Sequence, residues 1–485
     1  MAGIGFELRR ILAEDTYSGM IKGYLYSTVI SSGPWLITVL SLAGLGSFAM
    51  AILEPDVQRL FASTVIYMYC ASLVGTGLIQ LVVTRYLADQ LYQGRRQALS
   101  ETFLPVVLVT TLLLLPVALL AVRGTPWPLN YRIAATAGFL LVALVSQLMV
   151  FLSASRDYRT IVLAYLVGGA ASWIAGVHLG NRFGLAGFLF GFDLGQLLLV
   201  GVLTAKVFWE FGAPRRWDWG FLRCFLTFPE LAGIGFLYNF GIWVDKLLFG
   251  FSAEGQVIAG RFASYPAYDS SLFFAHATTI PAMALFLART ETDFADVYKT
   301  YYDDIYFHRP YRQILASKKQ MVETLAAAFR DLLKVQGLVT FLGIYFADDI
   351  LALLGLSYSQ TGIFRYAQLG ALMQMLMLFI HIVLLYFDLR GTVLVLTLIF
   401  MMANAVGALA SLRLGLPYYG LGYALACLVG LGVSVIALYV RLLNLEYITF
   451  ARRKIVGQVY SRRKDRARPG GLYGKYHLTR APKDR

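Results

Sequence analysis

Apolar stretches, each about 20 residues long, recur with short polar separations from Tyr24 to Val440. A helix of that length crosses a hydrocarbon core about 30 Å thick at about 1.5 Å rise per residue, and it satisfies its backbone donors and acceptors without water. The ninth stretch gives the weakest signal because Asp348 and Asp349 interrupt it. The pattern predicts twelve spans, near residues 24–50, 60–84, 104–122, 133–153, 160–178, 185–208, 227–250, 268–288, 335–354, 364–387, 391–411 and 419–440.

The spans fall into two sets of six, on either side of a basic connector. An even number of spans in each half gives both halves the same orientation, as in parallel repeats. The predicted divisions are a cytoplasmic amphipathic N-terminus at 1–23, a first six-helix lobe at 24–208, a cytoplasmic connector at 209–226, a second six-helix lobe at 227–440 that includes a long cytoplasmic loop at 289–334, and a basic cytoplasmic tail at 441–485.

Composition excludes an ordinary soluble domain, because 58% of the residues are hydrophobic, 14% are charged and the mean hydropathy is +0.64. With the N-terminus inside, 34 of the 42 Lys and Arg residues fall on the cytoplasmic side, and 21 against 8 remain when the tail is left out. The positive-inside rule therefore predicts that both termini are cytoplasmic. An anionic leaflet attracts each basic residue of the tail by about 1 kcal/mol, which favours membrane lipids over nucleic acid as its partner.

Two further stretches have the helical spacing of an amphipathic surface helix. The first is formed by Phe6, Leu8, Ile11 and Leu12. The second lies in the long loop and is formed by Ile314, Met321, Leu325, Phe329 and Leu332. Either stretch suits the inner leaflet. The second also suits a link between the two lobes, a docking face for a cytoplasmic partner, or packing against its own bundle.

Ionisable residues at membrane depth cost about 2.5 to 3.5 kcal/mol at the centre of a span, so they must face protein or water. Asp193 and Gln196 are three residues apart and share one helix face. Asp245 and Lys246 are consecutive, about 100° apart around a helix, so we expect each to pair with another span. The candidate cavity residues, for substrate binding or ion coupling, are Asp193, Gln196, Glu230, Asn239, Asp245, Lys246, Asp269 and His276.

Two interpretations of these residues remain open. They either pair across helices and fix packing, or they line a polar passage. In a passage, the carboxylates Asp193, Asp245 and Asp269 would attract a cationic or hydroxyl-rich substrate, and a protonatable Asp or His could couple transport to the proton gradient. Pro34 and Pro281 are candidate helix kinks of the kind that opens a cavity to alternate sides.

Signals of catalysis are missing from the sequence. It contains no Walker A motif, no H-E-x-x-H and no G-x-S-x-G. The three cysteines lack the spacing of a zinc or redox site, and Asp303 with Asp304 is a carboxylate pair of the kind usually found on plain surface. We therefore expect a protein that is not an enzyme and has no catalytic residues, metal site or cofactor.

Four stretches carry a resemblance to a known family. They are MAGIGFELRRIL, YSTVISSGPWLITVLSL, RYLADQLY and YDSSLFFAHATTIPAMALFLARTETDFADVYKTYY. The chain resembles the PelG family, the inner-membrane transporters of the Pel exopolysaccharide system, through nearly its full length. The resemblance implies the multidrug/oligosaccharidyl-lipid/polysaccharide flippase superfamily, abbreviated MOP. The implied fold is all-α, a polytopic bundle of about 12 transmembrane helices in two six-helix lobes around a central cavity.

The same resemblance implies a function and partners. The function would be export of a cationic amino-sugar exopolysaccharide across the bacterial inner membrane for the biofilm matrix, by alternating access or gated passage. The implied partners are PelD and PelE in the membrane and the glycosyltransferase PelF. A gradient-driven drug or metabolite antiporter of the same fold, and a non-transporting scaffold of a polysaccharide synthase complex, are the alternatives.

Overall fold

The structure, a computed structural model, describes residues 17–153, 158–258, 260 and 262–452. Nearly all of this part is helical, and its two short strands form one antiparallel hairpin. The helices are α1 (Tyr17–Ile52), α2 (Pro55–Tyr92), α3 (Ala98–Val122), α4 (Leu129–Ser153), α5 (Tyr158–Phe211), α6 (Phe221–Thr227), α7 (Pro229–Gly250), α8 (Pro266–Ala277), α9 (Ile280–Arg289), α10 (Ala295–Tyr306), α11 (Tyr311–Tyr345), α12 (Ala347–Leu353), α13 (Thr361–Tyr386), α14 (Arg390–Leu414), α15 (Leu421–Leu443) and α16 (Leu445–Tyr447); the strands are β1 (Gln256–Ile258) and β2 (Phe262–Ser264).

The long apolar helices agree with the predicted spans. Among the described residues, 8 helices are long and apolar enough to cross a membrane, or up to 11 when each of three bent helix pairs counts as one span. Helix α5 has 54 residues, about 80 Å at 1.5 Å per residue, and it bends at Gly184, whose φ is 59°. Its two limbs therefore correspond to the fifth and sixth predicted spans.

Helices α1 to α5 form the first lobe. Helix α4 packs against α2, α3 and α5, and α1 packs along α5. Two apolar clusters fill this lobe, one around Phe139 and Phe188 and the other around Phe103 and Phe151. Close packing of such buried side chains is what holds helices together once they are in a membrane.

Helices α7 to α15, up to Ser434, form the second lobe. Helix α7 packs along α14, and α13 packs against α8 and α11. Its core includes Phe249, Tyr268, Phe364 and Phe400. The two lobes contact each other through α2 with α7 and through α1 with α9. Residues 435–452 belong to a separate compact unit and contain the end of α15 and all of α16.

The segment predicted as a long loop, 289–334, is almost entirely helical. A π-helical turn at Thr290–Phe294 joins α9 to α10, and α10 returns into α11 through residues 307–310. Arg289 donates to the carboxylates of Asp293 and Asp331, both at 2.7 Å, so one side chain ties α9, the π-helical turn and α11 together. Most charged residues of this segment lie on exposed faces of the helix pair, whereas Asp304 is buried.

The apolar stripe in this segment forms the predicted helix, and it packs against its own bundle. Ile314, Met321, Leu325 and Leu332 are buried, and the ring of Phe329 lies 6.2 Å from that of Phe379 on α13. Of the alternatives that the sequence left open, intramolecular packing is therefore the observed one. The predicted N-terminal amphipathic residues, Phe6 to Leu12, and most of the basic tail lie outside the described residues.

The weak ninth span is a broken helix. Helices α11 and α12 meet at 75°, directly before Asp348. Asp348 accepts hydrogen bonds from Thr361 at 2.8 Å and Arg365 at 3.1 Å, so the break exposes its carboxylate to partners. A second break of 41° precedes Pro281, at the junction of α8 and α9, whereas α1 continues through Pro34 without interruption.

Candidate functional site

The contact between α2 and α7 passes through a pair of glycines. A Cβ atom on Gly77 would lie 2.5 Å from the carbonyl oxygen of Gly235, and one on Gly235 would collide with the Gly77 carbonyl. Asn239 donates to that Gly235 oxygen at 2.8 Å. Small residues allow helix backbones to approach this closely. The predicted site residue Asn239 therefore lies at the lobe interface and supports the crossing.

A small cleft opens beside this crossing, toward the hairpin. We call it the interlobe cleft. Helix α2 forms one wall, and α7, β2 and the start of α8 form the other. Its functional side chains are Tyr67, Cys70, Trp243, Lys246, Ser264 and Asp269. Of the eight residues that the sequence nominated, Lys246 and Asp269 therefore line one cleft, and Asp245 lies directly behind it.

Asp245 is fully buried and is bonded to another helix. Its Oδ2 accepts a hydrogen bond from the hydroxyl of Tyr268 on α8 at 2.7 Å. Its Oδ1 lies 3.6 Å from the ammonium of Lys246. The expectation that Asp245 pairs with another span holds. Lys246 also approaches it, although Oδ1 accepts no hydrogen bond from the described residues. The long lysine side chain bends around the helix, which cancels the angular separation of consecutive residues.

Lys246 is held by its own helix, not by another span. Its Nζ donates to the carbonyl oxygen of Ile242 at 2.8 Å and lies 5.5 Å from the ring centroid of Trp243. A cation over an indole face is favoured by the ring quadrupole. The ammonium is thus fixed on the α7 wall by Asp245, Ile242 and Trp243.

Asp269 lies on the opposite side of the cleft, in the first turn of α8. Its Oδ2 accepts a hydrogen bond from the hydroxyl of Ser264 at 3.0 Å. Its buried Oδ1 accepts no hydrogen bond from any residue that the structure describes. Buried polar atoms are normally paired, so this oxygen is a candidate binding atom.

The hairpin connects the second lobe to the first through Tyr67 of α2. The Tyr67 hydroxyl donates to the carbonyl oxygen of Ala263 at 2.6 Å and accepts from the Ala263 amide at 3.1 Å. The ring of Phe262 stacks on Tyr67 at 4.6 Å and lies 5.2 Å from Trp127, which follows α3. We call this set of contacts the hairpin latch. It closes the hairpin end of the interlobe cleft.

Sequence reasoning did not find Tyr67, Trp243 or Ser264 as site residues. The available signal was the pair Gly255 and Gly260 on either side of a short run with apolar residues, which is typical of a short strand bounded by turns. Gly260 has a φ of 69°, as such a turn requires.

Asp193 lies inside the first lobe, apart from the interlobe cleft. It is 6% exposed, and neither carboxylate oxygen is hydrogen-bonded within the described part of the chain. Its Oδ1 lies where a Cβ of Gly138 on α4 would be, beside Met68 of α2. Gln196, on the same limb of α5, instead faces a small cavity with Thr38 and Tyr165.

His276 and Glu230 also lie apart from the cleft. The His276 imidazole contacts Gln374 at 3.1 Å and the hydroxyl of Tyr423 at 3.2 Å, and Tyr423 donates to the same Gln374 oxygen. This network is inside the second lobe. Glu230 is half-buried in the first turn of α7, next to the 87° bend between α6 and α7.

Metal binding has no support from the described side chains, because no group of three or more His, Cys, Asp and Glu residues among them is placed to hold an ion. Asp304, which the sequence analysis expected on plain surface, is instead buried and is bonded to the side chains of Gln313 and Ser317. These contacts give it a structural role in the turn between α10 and α11.

Solved structures with the same fold are transporters. One is a multidrug resistance transporter of the MATE family and MOP superfamily in an outward-facing conformation, with a TM-score of 0.65, 13% identity, and coverage of 88% of this chain and 96% of that chain. A MOP superfamily transporter from Pyrococcus furiosus, described by the reverse polarity of its binding pocket, has a TM-score of 0.60, 13% identity and the same coverages. An inward-facing MATE transporter has a TM-score of 0.54, 12% identity, and coverage of 85% and 94%.

At such identities, these structures establish the fold alone. No curated protein sequence matches the chain. The family model described as PelG, exopolysaccharide exporter (EPS-E), matches residues 1–450, which confirms the resemblance found in the sequence. The chain therefore belongs to the PelG family and is a multi-pass membrane transporter with the MOP superfamily fold.

Proposed function

We propose that this chain exports a Pel-type cationic amino-sugar exopolysaccharide across the bacterial inner membrane to the periplasm, where it enters the biofilm matrix. The observation that carries the proposal is the family match over residues 1–450, which includes both lobes and the interlobe cleft. The acidic residues of the cleft suit a cationic cargo. With Asp245, Asp269 and Lys246 ionised, the cleft region has one uncompensated negative charge.

The proposed mechanism is alternating access or gated passage between the two lobes. The hairpin latch would close the periplasmic side, and its release would open the interlobe cleft to that side.

Asp193 is the proposed coupling residue. A buried ionised carboxylate without a partner costs several kcal/mol, and binding a proton removes that cost. Proton exchange at Asp193 would then bias the packing of α2, α4 and α5.

The proposed orientation places both termini in the cytoplasm, as the distribution of Lys and Arg favours. The α10 and α11 helix pair would then project from the cytoplasmic side, because α11 has 35 residues, about 52 Å, against a core of about 30 Å.

PelD, PelE and the glycosyltransferase PelF are the proposed partners. PelF would supply the chain, and this protein would transport it without catalysing a reaction.

The test is reconstitution of the chain with PelD, PelE and PelF in inverted membrane vesicles, with a labelled nucleotide-sugar precursor. We expect labelled polymer inside the vesicles, protected from an added glycosidase, and loss of that protection when an uncoupler collapses the proton gradient. Polymer that is made but stays outside would reject export and favour the scaffold. Gradient-driven uptake of a drug with no polymer uptake would favour the antiporter.

A further inference from the structure

We propose that Phe228 is the hinge of the connector between the two lobes, and that one arginine from each lobe, Arg85 and Arg390, locks this hinge by contacting its ring. We call these three residues the Phe228 lock. The inference deepens the proposed function and rests on it for the alternation of access and for the cytoplasmic location of the connector. The hinge and the lock themselves come from the contacts around Phe228.

The first step is that the connector is fixed to the first lobe. Asp218 accepts a hydrogen bond from the hydroxyl of Tyr86 on α2 at 2.5 Å, and its amide donates to the carbonyl oxygen of Glu101 on α3 at 3.0 Å. Arg216 donates to the Glu101 carboxylate at 3.2 Å. Phe221 of α6 is fully buried in an apolar cluster of the same lobe. The connector therefore belongs to the first lobe as far as α6.

The second step is that the chain passes into the second lobe at Phe228. Helix α7 packs along α14, and α6 and α7 meet at 87°. Phe228 lies between the two helices, with a φ of −135° and a ψ of 53°, neither of them helical. Pro229 disfavours a helical conformation of the residue before it, which keeps α6 and α7 from merging. Hinges are a few residues at the ends of elements that absorb changes in φ and ψ, and Phe228 has this position.

The third step is the pair of contacts with the Phe228 ring. The guanidinium carbon of Arg390, the first residue of α14, lies 4.2 Å from the ring centroid, and that of Arg85 on α2 lies 5.4 Å from it. A guanidinium within about 6 Å of a ring centroid is attracted by the ring quadrupole. The contact with Arg390 is internal to the second lobe, whereas the contact with Arg85 joins the two lobes. Separation of the lobes here therefore breaks the Arg85 contact and keeps the other.

The fourth step is the pairing of each arginine with an acid of its own lobe. The Nε of Arg85 lies 3.4 Å from the carboxylate of Asp89 on α2, and the Nε of Arg390 lies 2.9 Å from that of Asp388. Across the lobes, the charges of Asp388 and Arg390 act on Asp89 with opposite signs. Separation of the lobes leaves both guanidinium groups with their counter-ions. The lock thus opens by losing a ring contact and not an ion pair, which makes it reversible.

The lock and the hairpin latch lie at opposite ends of the same helix. Tyr67 and Arg85 are about 27 Å apart along α2 at about 1.5 Å per residue. The tight crossing at Gly77 and Gly235 lies between them. Because that crossing keeps α2 and α7 together in the middle, the lobes can separate at one end while the contact at the other end remains. Arg85 is therefore a positioning residue of the cytoplasmic end, as Tyr67 is of the other.

The test measures the separation of the lobes at the connector. Spin labels are placed at Gln93, directly after α2, and at Thr300, an exposed residue of α10, in the purified full chain without native cysteines in lipid nanodiscs. Electron–electron resonance gives the distance distribution. Arg85→Gln is expected to raise the ratio of separated to closed lobes about two- to fivefold, the effect of one partly exposed contact between a cation and a ring. An unchanged distribution in folded R85Q would overturn the proposal.

Arg59→Gln is the matched control, because it removes an arginine from the other end of α2, where Arg59 lies 3.6 Å from Asp56. It is expected to leave the distance distribution unchanged. R85Q and R59Q are expected to unfold at the same temperature, so a longer distance in R85Q reports the lock and not a loss of stability. An equal shift in R59Q would show that any lost arginine on α2 has this effect, and the lock would be wrong.

Phe228→Leu tests the ring, since it keeps an apolar side chain and removes the partner of both arginines. Its shift is expected to be at least as large as that of R85Q. In the F228L chain, adding R85Q is expected to have no further effect, because the contact that it removes is already absent. Additive shifts in the double variant would show that Arg85 acts through another group and would overturn the proposal.

The two proposals fail separately. If R85Q and F228L give the expected shifts without additivity but vesicles take up no polymer, export is wrong and the lock between the lobes stands. If vesicles take up polymer and R85Q has the distance distribution of the unmodified chain, the lock is wrong and export stands.

Discussion

The hydroxyl of Tyr67 makes two hydrogen bonds to the backbone of Ala263, donating at 2.6 Å and accepting at 3.1 Å. The two residues are 196 positions apart and lie in different lobes. One side chain on α2 thus satisfies both backbone groups of a residue in β2. A strand fixed in this way moves relative to α2 only when both bonds break.

Replacing Tyr67 by Phe is expected to weaken the hairpin latch while keeping the ring that stacks on Phe262. The two lost hydrogen bonds are worth about 1 to 2 kcal/mol net, which raises the population of the unlatched state roughly five- to thirtyfold. Spin labels at Arg59 and Gln256, on a background without native cysteines, measure the distance from α2 to the hairpin. The Y67F protein is expected to show a longer or broader distribution.

Tyr92→Phe is the matched control, since it removes a hydroxyl from an exposed residue at the other end of the same helix. It is expected to leave the distance distribution unchanged. A Y67F distribution identical to that of the control would show that the hydroxyl does not hold the hairpin.

The crossing of α2 and α7 predicts a second effect. A Cβ atom on Gly235 collides with the backbone of Gly77, so Gly235→Ala must push the two helices apart. Overpacking of this kind costs about 1 to 3 kcal/mol. We expect a lower Tm for G235A in detergent and lower polymer uptake in vesicles.

Gly337→Ala serves as its control, because that glycine lies inside α11 and a Cβ atom there meets nothing within 4 Å. Its Tm is expected to equal or slightly exceed that of the unmodified chain, since alanine favours a helix more than glycine does. A G235A protein as stable as G337A would refute the tight crossing.

Hydropathy alone was sufficient to place the long apolar helices, because the cost of exposing backbone and polar groups to lipid applies to each residue of a span. It also indicated that Asp193 and Asp245 face protein, and both are buried. Local sequence could not show what each carboxylate contacts. The Tyr67 and Ala263 contact depends on two elements far apart in the chain, and the position of Lys246 depends on the rotamer of a long side chain.

The segment 289–334 shows a different limit of sequence reasoning. The segment was predicted as a loop with one amphipathic helix, yet almost all of it is helical. The decisive contacts are those of Arg289 with Asp293 and Asp331. Arg289 and Asp293 have the i,i+4 spacing of a helix, but Arg289 and Asp331 are 42 positions apart, so no local pattern along the chain indicates the second contact.

These contacts predict local stability in the helix pair. Arg289→Gln removes both charge-assisted bonds, and because the groups are partly exposed the loss is about 1 kcal/mol. We expect faster amide exchange in Thr290–Phe294 and in the adjoining part of α11, with the global Tm nearly unchanged. Hydrogen–deuterium exchange with mass spectrometry measures this.

Lys319→Gln is the control for R289Q, because it removes a longer and more exposed ion pair, 3.8 Å to Glu323, on the same α11. It is expected to leave exchange in the π-helical turn unchanged. If R289Q and K319Q gave the same exchange rates there, Arg289 would have no role in joining the helices.

The last prediction concerns Asp193. A neutral side chain of the same shape at this position should remove the coupling of transport to the proton gradient without lowering the stability of the fold. Asp193→Asn places no charge in the buried site, so the Tm is expected to stay the same or rise, since no buried carboxylate remains unpaired. Polymer uptake by vesicles should fall and lose its response to an uncoupler. Asp349→Asn, at an exposed position on α12, should keep both uptake and response. If D193N transports polymer with an unchanged uncoupler response, Asp193 carries no coupling proton, and the buried carboxylate then serves only to pack α5 against Gly138 of α4.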